Sequence, residues 1–83
     1  PKISHLMAIS RLSLRALNAA TLGGLQLLDV VASPAAHEGS HFTLFFAKGV
    51  ALDAAKAQVG ESLISAVMLN GAPILRCDAL PHH

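Results

Sequence analysis

The sequence has no tryptophan and no tyrosine, and its only aromatic residues are three phenylalanines. Platforms for base stacking are therefore scarce. The six basic residues, Lys2, Arg11, Arg15, Lys48, Lys56 and Arg76, are scattered rather than clustered, and the formal net charge is only +1. Such a chain has no field to gather phosphates, and nucleic acid is not an expected partner. Cysteine occurs once, at Cys77. It excludes an internal disulfide and any Cys-x-x-Cys metal pair, fits a reducing compartment, and reads as a small buried apolar side chain.

Charge is also scarce. Only 13% of residues are charged, against about 25% in an average soluble domain. Hydrophobic residues make up 53%. They do not gather into a run near the roughly 20 residues that cross a bilayer, and Pro1-Lys2-Ile3-Ser4-His5 lacks the pattern of a secretory leader. No membrane association is expected, and the chain reads as cytosolic. Its 83 residues bound it to a single domain, residues 1–83, with a modest core of its own. Too few charges remain to coat a monomer, so copies of the chain are expected to cover one another's apolar faces.

Periodicity along the chain alternates between strand and helix. Residues 3–9 read as a strand with Ile3, His5, Met7 and Ile9 on one face. Ser13 then caps a helix carrying Leu14, Leu17 and Thr21, with Gly23-Gly24 as its stop. Residues 25–32 form the next strand and residues 41–47 a third, in which Phe42, Thr43, Phe45 and Phe46 suit a pleated surface. A second helix is expected from Val50 to Asn70-Gly71. Ala54, Ala57, Ile64 and Met68 form one stripe on it, and Leu52, Ala55, Val59 and Leu63 form another. The second stripe offers a contact with a neighbouring subunit or with the first helix. Pro73 then opens a last extended segment, and the order becomes β-α-β-β-α-β. That order predicts an α+β, ferredoxin-like fold, a four-stranded antiparallel sheet with two helices on one face.

Between the second and third strands lies a polar run, Ser33-Pro34-Ala35-Ala36-His37-Glu38-Gly39-Ser40. It is longer than a tight hairpin needs, which marks it as the expected functional element.

The element order, Gly39-Ser40 before the strand Phe42-Thr43-Leu44-Phe45-Phe46, the alanine-rich helix start at residues 50–57 and the late Pro81-His82 together resemble the shell proteins of bacterial microcompartments. The resemblance covers nearly the whole chain. It implies flat cyclic hexamers that tile into the facets of a protein shell in the bacterial cytoplasm, with other shell proteins as partners. It also implies that His37, Glu38, Gly39 and Ser40 line a six-fold pore for small polar metabolites, with Gly39-Ser40 matching the family's pore motif. Val59, Leu63, Pro81 and His82 are the expected oligomer contacts. Three departures from the family pattern stand out: Thr21 near the place of an edge lysine, Leu80 in place of the arginine before Pro-His, and a loop extended by Pro34, Ala35 and Ala36. These suit a specialised shell component better than the bulk facet protein. The loop has no cysteine to hold the iron–sulfur cluster found in some relatives.

On six-fold symmetry, one imidazole and one carboxylate become rings of six that sort solutes by charge, hydrogen bonding and size. No expected helix carries the paired histidines of a zinc site. Neither a metal nor a cofactor is expected. His5 and His41 read as strand residues satisfied by hydrogen bonds, and His82-His83 as a tail. No Ser/His/Asp set or phosphate loop can be assembled, so a non-catalytic role is expected. Two alternatives stay open: a small oligomeric enzyme resembling the tautomerases, with Pro1 as base, and a regulatory module of the ACT type that binds small molecules between subunits.

Overall fold

A computed structural model describes residues 20–35 and 39–81 of the chain. These form an antiparallel five-stranded sheet with one helix, an α+β arrangement. The strands are β1 (Thr21–Leu22), β2 (Leu25–Ala35), β3 (Gly39–Phe46), β4 (Leu63–Leu69) and β5 (Ala72–Cys77), in the order β1-β2-β3-β5-β4. The helix α1 (Leu52–Val59) follows β3 and leads through a 3-10 turn (Gly60–Ser62) into β4. The expected strand over residues 3–9 and the start of the expected first helix lie outside the described residues.

Two expectations are corrected by glycine-containing turns. Thr21–Leu22 is a strand rather than the end of a helix, and Gly23-Gly24, with φ of 59° and 81°, turns the chain into β2. Two successive positive φ values are what a tight hairpin requires and a right-handed helix cannot contain. The second helix stops at Val59 instead of running to Asn70-Gly71. Gly60 ends it at φ 63°, ψ −133°, its N–H donating to the Lys56 carbonyl. Beyond the stop, Ile64 and Val67 favour extended backbone. Asn70 (φ 50°) and Gly71 (φ 80°) then form the two-residue hairpin turn between β4 and β5.

The ferredoxin-like topology is corrected with them. In a split βαβ sheet the first strand would lie beside the third. Here β3 has β2 on one side and β5 on the other, so that place is filled. Each connected pair of strands is a simple hairpin except β3 to β4, which α1 bridges.

Side chains alternate across the sheet, and the register sorts them into two faces. Leu27 opposite Phe46, Val30 opposite Leu44, and Leu44 opposite Leu75 share the covered face. Together with Leu22, Ala55, Val59 and Cys77 they make the buried core. Helix α1 lies against β5 and β4 and contributes Ala55 and Val59, four residues apart on one helical face. Ala55 is wholly buried, and its small side chain lets the helix backbone approach the strands closely. Asp53 in the first turn and Lys56 in the last both complement the helix dipole. Among the described residues, no helix is long and apolar enough to cross a membrane.

Candidate functional site

The β2–β3 hairpin carries the polar run. Its strands pair further than the sequence suggests, through Ser33 opposite His41, Pro34 opposite Ser40 and Ala35 opposite Gly39. Only residues 36–38 then connect them. The expected long loop is therefore corrected to the end of a ribbon. Pro34 fits within β2 because β1 pairs only with Leu25 and Gln26, and among the described residues no strand flanks the other side of β2 at that point. β3 pairs with β5 only from Phe42 to Phe45. The hairpin end thus extends as two strands past the sheet, with Gly39 and Ser40 on its returning strand. His37 and Glu38 lie outside the described residues.

At the base of this ribbon, Arg76 of β5 and His41 of β3 meet on the face opposite the core, with Arg76 Nη2 3.2 Å from His41 Nδ1. Because arginine only donates, Nδ1 accepts, and the ring proton of a neutral His41 resides on Nε2. The expectation that His41 is a strand residue held by a hydrogen bond agrees with this geometry. Among the described residues, no three His, Cys, Asp or Glu side chains converge as metal ligands would.

The same open face carries two cross-strand rows. Asp29, Phe45, Ile74 and Val67 form one, and Val31, Thr43, Arg76 and Ser65 form the next. No helix covers the apolar centre of the first row among the described residues. It ends at β4, where Val67 is 56% and Leu69 58% exposed. Asp29 sits at an irregularity in β2, where its carboxylate accepts the Val30 N–H at 2.9 Å.

The expected contact residues fall in different places. Val59 is buried in the chain's own core, with little surface left for a neighbour. Leu63 is half-buried at the start of β4 and packs against that core. Pro81 is half-buried, and His82 lies outside the described residues. Cys77 is a free, fully buried thiol, as its reading as a small apolar side chain expects. Burial pushes its pKa up; a backbone hydrogen bond at Ala79 opposes the shift, and the Asp78 charge adds to it.

Sequence reasoning missed the exposed β4 edge and the Arg76–His41 pair. The first had a signal, Asn-Gly between two apolar runs, which marks a hairpin. The second follows from a register that composition does not reveal.

No family model matches the chain, and neither the curated proteins nor the solved structures yield a match.

Proposed function

We propose that the protein is a structural subunit that assembles with copies of itself, in the manner of the microcompartment shell proteins its sequence resembles. The observation that carries this is the surface of β4, whose Ile64, Val67, Met68 and Leu69 are 43 to 58% exposed on one charge-free strand. Exposed apolar side chains gathered on one strand mark an interaction site, and a second copy is its commonest partner. The low charge content of the whole chain supports the same reading.

The specific assembly is a cyclic hexamer, and this rests on the sequence resemblance rather than on the strand topology. In the ring, the ends of six β2–β3 hairpins surround the axis. His37 and Glu38 provide polar groups there, Gly39 admits close backbone approach, and Ser40 offers hydrogen bonds to polar metabolites in transit. The role is non-catalytic, and its place is a microcompartment shell in the bacterial cytoplasm.

Electron microscopy of the purified protein tests the proposal. Rings of six with a central opening, alone or in flat arrays, are expected. A stable monomer or dimer at micromolar concentration removes the ring.

A further inference from the structure

We infer that β4 is a two-fold contact, pairing antiparallel with the β4 of a second copy to join two five-stranded sheets into one of ten strands. Among the described residues, strand β4 is the last in the sheet order and is paired on one side only, to β5. Proteins protect such edges with charges, proline, bulges or a covering element. Leu63-Ile64-Ser65-Ala66-Val67-Met68-Leu69 has neither a charge nor a proline, and its irregularity lies at the start, between Leu63 and Ser65, leaving residues 65–69 in regular register.

The turn at Asn70-Gly71 fixes which backbone groups face outward. In a two-residue hairpin the flanking pair, Leu69 and Ala72, exchanges both hydrogen bonds. Alternation from Leu69 then turns the N–H and C=O of Met68 and Ala66 away from β5. Antiparallel pairing of β4 with itself satisfies these groups about a two-fold axis at Ala66 or Val67, and it closes after two copies. The side chains match as well. About an axis at Val67, the open-face row Phe45-Ile74-Val67 continues into Val67, Ile74 and Phe45 of the second copy.

The composition of the strand favours a second copy over other occupants. A charge-free strand meets its own image without like-charge repulsion, whereas it offers a foreign partner no complementary charge to select it. This contact goes beyond the ring. A cyclic hexamer is built from head-to-tail contacts, while the β4 pair is isologous and links two rings or two single chains alike.

Cysteine cross-linking tests it. Cα atoms directly opposite at such an axis lie about 4.5 to 5.5 Å apart, within the range a disulfide spans. Val67→Cys and Ala66→Cys are each oxidised at low micromolar concentration, with Leu28→Cys, on β2, as an exposed control and the unaltered chain to account for Cys77. At least one edge variant is expected to form a covalent dimer many-fold faster than the control, and the residue that does so reports the register. Val67→Lys, which places two ammonium groups at the axis, is expected to raise the concentration for half-association at least about tenfold. Folding of each variant is checked by circular dichroism. Cross-linking at neither edge position above the Leu28→Cys rate overturns the inference, as does cross-linking that appears only after residues 1–19 are removed. A covalent dimer from a protein that forms no rings leaves this contact standing and removes only the hexamer.

Discussion

Val67 stands directly opposite Ile74 on the open face of the sheet, half-covered by its own chain and 56% exposed. The pair is the outer end of an apolar row that begins at Phe45 and stops at the sheet edge. The interior shows the contrast. Leu44 and Leu75, opposite each other on the other face, have no exposed surface.

Truncation should separate the two faces. Leu44→Ala leaves a cavity in the buried core and is expected to lower unfolding stability by about 2–5 kcal/mol. Val67→Thr keeps the branched shape at a half-exposed site and is expected to change stability by less than about 1 kcal/mol. Urea denaturation of both variants checks this. Equal losses would mean that the open face is as enclosed as the core.

The β4–β5 turn gives a sharper test of the fold. Gly71 has φ of 80°, and a Cβ placed there meets only the Lys48 side chain, at 3.5 Å. The cost of a side chain is therefore conformational rather than steric. Gly71→Val is expected to destabilise by about 1–2 kcal/mol through the left-handed backbone. The helix first expected over this stretch also stops at Asn70-Gly71, where a left-handed backbone favours glycine too, so circular dichroism accompanies the stability measurement. A stability gain, together with increased helical circular dichroism, would contradict the hairpin.

That contrast shows how much of the fold was legible in the sequence. The largely apolar run at residues 25–32 and the β-favouring Phe42, Thr43, Phe45 and Phe46 identified β2 and β3, because β-branched and aromatic side chains fit a pleated surface. Residues 63–69 failed as a guide because seven consecutive residues without a charge fit a strand or a helix equally well by periodicity. Gly60 and Asn70-Gly71 decide between them, and both were given helical roles. The polar run 33–40 was read as a loop between two strands, yet most of it belongs to the strands themselves. Its pairing through Ala35 and Gly39 was hidden because backbone hydrogen bonds form regardless of side-chain polarity. The inside position of Val59 depends on where α1 sits, which short-range pattern does not reveal.

Cys77 links burial to pH. Its raised thiol pKa means that the folded chain holds this proton more tightly than the unfolded chain. The contribution is fully present below the unfolded value of about 8.5, and it is lost as pH rises from there through the folded value. Stability is expected to fall above that point, and Cys77→Ser, with its non-titrating hydroxyl, should flatten the decline. A disulfide reagent should label native Cys77 slowly and unfolded Cys77 at once. Rapid native labelling would mean that the strand end is open.

The hairpin end is tested by function. On the proposed ring, His37→Ala leaves assembly intact while changing how anion passage through reconstituted shells responds to acid, because the protonatable ring at the axis is gone. Passage measured at mildly acid and neutral pH should differ for the unaltered protein and coincide for the variant. Coinciding rates in the unaltered protein would remove His37 from the pore.

Native mass spectrometry of the unaltered chain at micromolar concentration reads self-assembly itself. A dominant species of six chains, or multiples of six, is expected, with little free monomer. A stable monomer under those conditions would contradict it.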